Sequence, residues 1–219
     1  MRRVSLAVAC LAASGASSAA PASAPAPARL AVEIKIARCG GKPVQPGRWV
    51  DEHVAAAARL FAAHGVLLEA TRSSFAPRRC VLLDGGHRDA LAAHADPGRV
   101  TVLVVQRARD LSVLTYDLKG VHWRYRGDDE RLRGRRFVIL TSRARPPVLA
   151  HELCHYLGLP HDPEGGNLMT PGPSSPLWRS KRRKPKPFAP LLTAAQARKL
   201  RAAVLAMAPA SPADRRHRR

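Results

Sequence analysis

One short segment of the chain has residue types and spacing that predict a metal site. Residues 151–161 read HELCHYLGLPH. His151 and His155 are four positions apart, which places both imidazoles on one face of a helix. Gly158 is predicted to end that helix, because glycine adopts the left-handed conformation that reverses the chain and brings His161 to the same point. Three neutral imidazoles form a ligand set for one zinc ion and leave a fourth position for water.

A carboxylate next to this ligand set predicts the reaction. Glu152 lies on the flank of the helix face that carries His151, where it can reach a zinc-bound water without binding the metal. Zinc lowers the pKa of that water toward about 7, and the Glu152 carboxylate can accept its proton as a general base. The alternative is a core helix whose histidines merely face solvent. The spacing favours amide hydrolysis.

The motif resembles a known clan. HELCHYLGLPHD, followed by NLMTP at residues 167–171, resembles the metzincin zinc peptidases, whose pattern is HExxHxxGxxH with a downstream methionine turn. Met169 follows His161 by eight positions, a spacing similar to the matrixin branch, whereas Asp162 after His161 is similar to the adamalysin branch. The resemblance implies that Met169 forms a hydrophobic floor under the zinc. It also implies the roles of His151, His155, His161 and Glu152 given above.

The elements around the motif predict an α/β or α+β domain over residues 30–208, and the resemblance implies the α+β, metzincin-like form. That form has a twisted mixed sheet, an active-site helix and a C-terminal helix. Residues 120–124 (GVHWR) are then the antiparallel edge strand along which an extended substrate pairs. The predicted strands are 30–37, 66–70, 81–83, 99–105, 111–126 and 137–140, and the predicted helices are 49–64, 88–95, 146–157 and 193–207. The last helix is predicted to begin at a capping box formed by Thr193 and Gln196.

Both ends of the chain have non-globular composition. Residues 1–22 carry two arginines, a short apolar run and small-residue cleavage patterns, which predict a signal peptide. Residues 23–29 are a Pro/Ala linker, and the basic residues 209–219 are predicted to be a disordered tail. We therefore expect a secreted or periplasmic protein, bacterial in origin and without a transmembrane segment. Lipid modification at Cys10 is left open.

Export favours a disulfide among the cysteines that follow the signal peptide. Cys39 and Cys80 each lie at the edge of an apolar, strand-like segment, so they are the expected pair. The alternative, in which Cys39 caps the zinc as the propeptide thiol of matrixins does, is disfavoured because the first strand precedes it directly. Cys154 is expected to be a buried thiol rather than a zinc ligand.

The net charge of +21 predicts attraction to anionic surfaces or acidic partners but does not choose among them. The basic segment 179–187 is either a solvated loop or a selector of acidic substrates. The favoured function is a secreted zinc-dependent endopeptidase acting on a protein or peptide. Two alternatives remain: a non-catalytic zinc-containing module that binds polyanions, and a DNA-associated zinc protease.

Overall fold

A computed structural model describes residues 26–162, 166–171 and 191–207. The predicted signal peptide, the basic segment 179–187 and the predicted tail 209–219 lie outside the described residues. Within the described part the chain forms a mixed α+β structure. No helix in this part is both long and apolar enough to cross a membrane.

The strands, in chain order, are β1 (Ala28–Cys39), β2 (Lys42–Pro43), β3 (Val66–Phe75), β4 (Val81–Leu82), β5 (Val100–Val105), β6 (Arg107–Ala108), β7 (Gly120–Arg124) and β8 (Arg136–Thr141). The α-helices are α1 (Gly47–Ala62), α2 (Gly85–Asp89), α3 (Pro146–Tyr156) and α4 (Ala194–Met207). Two 3₁₀ turns cover Ala90–His94 and Glu130–Leu132.

The main sheet is mixed and has its antiparallel strand at one side. Its strands lie in the order β3-β1-β5-β8-β7, and β2 pairs with the end of β1. The first four are parallel to one another, and β7 runs antiparallel to β8. Among the described residues β7 pairs with β8 alone, which confirms the predicted antiparallel edge strand.

Apolar side chains cover both faces of the sheet. On one face, alternate residues of β1 and β5 pack against α1, α3 and α4. On the other face, residues such as Leu103, Trp123 and Phe137 pack beneath α2 and the turn that follows it. All six residues of β5 are buried, as expected for a parallel strand covered on both faces.

Helix α3 is fixed from several sides. Pro146 and Pro147 occupy its first turn, where their missing N–H groups cost nothing. Leu149 and Leu153 are almost fully buried in the core shared with α1 and the sheet. The two histidine positions on α3 are therefore carried by a helix that has little freedom to move.

One predicted element was wrong in its extent. The stretch 111–126 was predicted as a single strand, but β7 covers only Gly120–Arg124. The Asp110 carboxylate accepts hydrogen bonds from the backbone N–H groups of Ser112 and Val113 at 2.8 and 3.2 Å, which bends the chain away from the sheet. Elsewhere the boundaries move in both directions: β1 begins at Ala28 and β3 continues to Phe75, whereas α1 ends at Ala62 and β4 at Leu82. The predicted helix 88–95 is the short helix α2 followed by a 3₁₀ turn.

Cys39 and Cys80 form a disulfide, the pair that the sequence favoured, with their Cα atoms 6.1 Å apart. Cys154 is a buried free cysteine, also as expected. The bridge joins the end of β1 to the residue before β4, 41 positions later.

Replacing both Cys39 and Cys80 with alanine should lower the free energy of unfolding by about 2–4 kcal/mol, because a loop of this length no longer restricts the unfolded chain. Urea denaturation measures the change. Wild-type protein in reductant is the control and should unfold like the double variant. Equal stability of the oxidised wild type and the double variant would contradict the bridge.

Candidate metal centre

The structure brings the three predicted histidines together. His151 and His155 lie one turn apart on α3, and His161 follows the helix in the returning chain. The Nε2 atom of His155 is 3.1 Å from the Nε2 atom of His151 and 3.1 Å from that of His161. One ring nitrogen from each histidine lies within 4.8 Å of the other two, so the group could hold a metal ion.

Backbone carbonyls fix the orientation of two of these rings. Nδ1 of His151 lies 2.7 Å from the carbonyl oxygen of Leu168, and Nδ1 of His155 lies 2.8 Å from that of Leu159. A carbonyl oxygen only accepts, so each Nδ1 carries the proton and donates. Each Nε2 is then left with a lone pair directed at the shared space, the tautomer that a metal-binding histidine uses.

Burial keeps the three rings neutral. It lowers the pKa of His151 and His161, and it is the main cause that lowers the pKa of His155 to about 4. The neighbouring imidazoles lower the pKa of His155 further. Metal ligands must be unprotonated, so these neutral rings can bind a cation without first losing a proton.

The distances also fit zinc. Two nitrogen ligands at 2.0–2.1 Å from a tetrahedral zinc ion lie about 3.3 Å apart, and the two Nε2 separations here are 3.1 Å. The donors are three imidazoles, a set that suits zinc. The residues present therefore fit the ion that the sequence predicted.

Gly158 forms the turn that delivers the third histidine. Its φ of +87° lies in the left-handed region, where a side chain would be strained. The N–H of Gly158 donates to the carbonyl of His155, and that of Leu159 donates to the carbonyl of Cys154, which closes the end of α3. This turn also presents the Leu159 carbonyl that holds the His155 ring.

Met169 lies in a tight turn packed behind the histidines. It is fully buried within the core that includes α3. The backbone N–H of Asp162 donates to the Met169 carbonyl at 2.8 Å, which ties the segment carrying His161 to this turn. The preceding residue, Leu168, supplies the carbonyl that orients His151.

Two polar side chains, on Asn167 and Gln196, hold this turn in place. The side-chain oxygen of Asn167 accepts from the backbone N–H of Met169 at 2.8 Å, and its amide donates to the Asp162 carboxylate. Gln196 donates to the same carboxylate at 3.3 Å. The polar cluster links the His161 segment to the methionine turn and to α4.

Gln196 also belongs to the predicted capping box. Its side-chain oxygen accepts from the N–H of Thr193 at 2.9 Å, and its own N–H donates to the Thr193 hydroxyl at 3.3 Å. The capping box is therefore confirmed. Its contact with Asp162 carried no signal in the sequence, because the two residues are far apart in the chain.

Glu152 is buried beside the edge strand. Burial raises the pKa of its carboxyl to about 8, and a hydrogen bond from the backbone N–H of His122 opposes the shift. Gly120 lies against the same side chain: a Cβ atom there would be 2.8 Å from Cγ of Glu152 and 2.7 Å from Cγ1 of Val148. Strand β7 and α3 thus approach at a distance that only glycine permits.

Cys154 points into the core instead of toward the histidines. Its side chain is fully buried among apolar residues. Burial is the main cause that raises the pKa of the thiol to about 12, and the Glu152 charge adds to it. The thiolate that zinc would require is strongly disfavoured at this position.

Comparisons with known proteins leave the chain unassigned. No protein-family model and no curated protein matches it. Among solved structures, the chain is similar to the crystal structure of metalloproteinase-II from Bacteroides fragilis, with 13% identity and a TM-score of 0.49. The match covers 84% of this chain but only 55% of that one, so the chain spans about half of its length. This similarity is too low to support an inference about the site.

Replacing Gly120 with alanine should lower the free energy of unfolding by about 1–3 kcal/mol, because the new methyl group overlaps the side chains of Val148 and Glu152. Chemical denaturation measures the effect. Gly86→Ala is the matched control, since a Cβ there would make an ordinary 3.5 Å contact with Asp84. Equal stability of the two variants would show that β7 and α3 are not packed this closely.

Proposed function

We propose that this chain is a secreted zinc-dependent endopeptidase. The observation that carries the proposal is the convergence of three imidazoles, on His151, His155 and His161. Nε2 of His155 lies 3.1 Å from Nε2 of each of the other two, and one ring nitrogen from each residue lies within 4.8 Å of the others. A buried carboxyl group, on Glu152, follows the first of them along the same helix. A ligand set of three histidines leaves one position open, which is typical of catalytic rather than structural zinc.

The three histidines would hold zinc through Nε2, with Met169 packed behind them. When bound, zinc supplies Lewis-acid chemistry: it acidifies water and polarises a carbonyl group. The chain supplies the orientation, because the carbonyls of Leu159 and Leu168 fix two of the rings before any ligand arrives. Fixed ligands of this kind reduce the reorganisation that binding and turnover require.

Glu152 is proposed to move the proton. Burial alone favours its neutral form, as the raised pKa of about 8 indicates. A cation on the neighbouring histidines would favour the carboxylate and lower that pKa again. Glu152 would then accept a proton from the attacking water and return it to the leaving amine. The hydrogen bond from the N–H of His122 keeps the carboxylate in place during this exchange.

The free edge of β7 is the proposed binding surface for the substrate backbone. In an antiparallel pair, the N–H and C=O groups of alternate residues point away from the partner strand. The N–H of His122 bonds to Glu152 and so points away from β8, and the same geometry applies to Gly120 and Arg124. An extended peptide pairing with the edge groups that Glu152 leaves free would pass directly beside Glu152.

Secretion is part of the proposal. A disulfide between Cys39 and Cys80 is compatible with an extracytoplasmic location, because such bonds persist in oxidising compartments. Residues 1–22 are proposed to be a cleaved signal peptide. N-terminal sequencing of protein recovered from the culture medium or periplasm would identify the cleavage site.

Glu152→Gln should reduce peptidase activity by about 10²–10⁴-fold while the protein keeps about one zinc per chain. Glutamine has nearly the same shape and can hydrogen-bond to water, but it cannot accept a proton. Hydrolysis of a peptide library and metal analysis of the same preparation give the two readouts. Loss of zinc together with activity would instead make Glu152 a ligand or a structural support.

His155→Ala is the complementary variant, since it removes the ring that contacts both other imidazoles. We expect it to lose stoichiometric zinc and activity together. Full zinc retention by this variant would mean that the ligands are wrongly assigned. Wild-type protein that binds zinc but cleaves nothing in a broad library would favour the binding module over the peptidase.

A further inference from the structure

Two arginines stand directly opposite each other at the end of the proposed substrate strand. Arg124 on β7 pairs in register with Arg136 on β8. Both lie on the same face as His122, because side chains two positions apart on a strand share a face. Like charges directly opposite each other on adjacent strands are destabilising. A bound anion would relieve the repulsion between these two arginines.

The described part of the chain offers no carboxylate partner for either arginine. Other arginines on the sheet and its flanks are paired, such as Arg72 with Asp51 and Arg107 with Asp117. Arg136 donates one hydrogen bond to the Tyr156 carbonyl and stacks on the Tyr156 ring, 4.4 Å from its centroid. A guanidinium has five N–H donors, so Arg136 retains donors for a ligand.

The positive charge extends to the site itself. Arg136 and Arg124 both add to burial in lowering the pKa of His122 to about 4, which keeps that imidazole neutral. Nε2 of His122 is buried and has no hydrogen-bond partner among the described residues. The two guanidinium charges therefore act on the strand next to Glu152, and no carboxylate in the described ranges is paired with them.

Arg136 also lines a cavity of about 410 Å³ next to the end of α3. Arg133 and Arg135 line the same cavity, and its one lining acid, Asp96, is paired with Lys35 at 3.1 Å. The cavity therefore combines free volume with an excess of positive charge.

The position along β7 relates the arginines to the reaction. Gly120 lies against Glu152, and Arg124 is four residues further along the strand. At about 3.3 Å per residue this separation is roughly 13 Å. Glu152 contacts both Gly120 and the N–H of His122, so a substrate paired with β7 would place a residue two to four positions from the cleaved bond beside Arg124.

We propose that Arg124 and Arg136 bind a carboxylate of the peptide substrate, two to four residues from the cleaved bond on one side, and so select acidic peptides. This inference rests on the proposed peptidase function. The carboxylate is either an acidic side chain or the C-terminal group of the peptide, since both present the same two oxygens to a guanidinium.

The test compares cleavage-site profiles of wild type and Arg124→Glu on a peptide library prepared in two forms, C-terminally amidated and free acid. Arg124 is exposed and has no side-chain partner among the described residues, so its replacement should leave folding intact. Arg59→Glu is the matched control, because it makes the same charge change at an exposed position on α1.

Wild type should favour Asp or Glu over neutral residues at that position by about three- to tenfold, the range for a partly exposed charge-assisted pair. The preference should weaken as salt is added. Arg124→Glu should lose or reverse it, and Arg59→Glu should keep it. A preference in the amidated library identifies the side chain as the source, whereas one seen only with free acids identifies the terminal carboxylate.

Active wild type with no acidic preference, or a preference that Arg124→Glu retains, would overturn the inference and leave the peptidase function standing. A chain that cleaves nothing would overturn the peptidase function. A binding measurement then tests the inference separately. Zinc-loaded Glu152→Gln protein should bind an acidic peptide about three- to tenfold more tightly than a neutral one. Adding Arg124→Glu to this variant should abolish the difference in affinity. Equal binding of the two peptides would contradict it.

Discussion

The architecture around the site depends on one electrostatic constraint: three half-buried imidazoles, on His151, His155 and His161, bring their ring nitrogens to a common point. The Nδ1–H groups of His151 and His155 donate to backbone carbonyls. Their Nε2 atoms, 3.1 Å apart, therefore carry no proton and cannot hydrogen-bond to each other. Buried polar atoms facing one another without a hydrogen bond are costly. A cation between them removes that cost, so metal binding explains why the rings are arranged in this way.

Each carbonyl in this arrangement depends on a different piece of local structure. The left-handed turn at Gly158 presents the Leu159 carbonyl, and the methionine turn presents that of Leu168. Asn167 and Gln196 tie the methionine turn to Asp162 and to α4. Secondary contacts of this kind orient metal ligands and tune them, so the C-terminal helix contributes to the site although it carries none of the histidines.

The sequence was sufficient to predict features of the fold and site that depend on short segments of the chain. Helical spacing placed His151 and His155 together, and the glycine turn accounted for His161. The capping box at Thr193 and Gln196 was predicted from four consecutive residues. The pairing of Cys39 with Cys80 was predicted because each lies at the edge of an apolar, strand-like segment, and strand β5 was predicted from its β-branched run.

The sequence did not predict which strands contact which neighbours, or in what register they pair. The contact of Gly120 with Glu152 requires β7 to lie against α3, and the opposition of Arg124 and Arg136 requires one register of β7 on β8. A shift of β7 by one residue would move Arg124 to the other face of the sheet, away from Arg136, and no local pattern fixes that choice. The Asp110 turn, which shortened the predicted strand 111–126, competes locally with the sheet and was likewise missed.

X-ray absorption spectroscopy of the zinc-loaded protein tests the central claim most directly, because it counts and identifies the atoms bound to the metal. The account predicts three imidazole nitrogens at about 2.0–2.1 Å and one further light atom, with no sulfur. A sulfur ligand near 2.3 Å, which Cys154 would have to supply, or fewer than three imidazoles would contradict it.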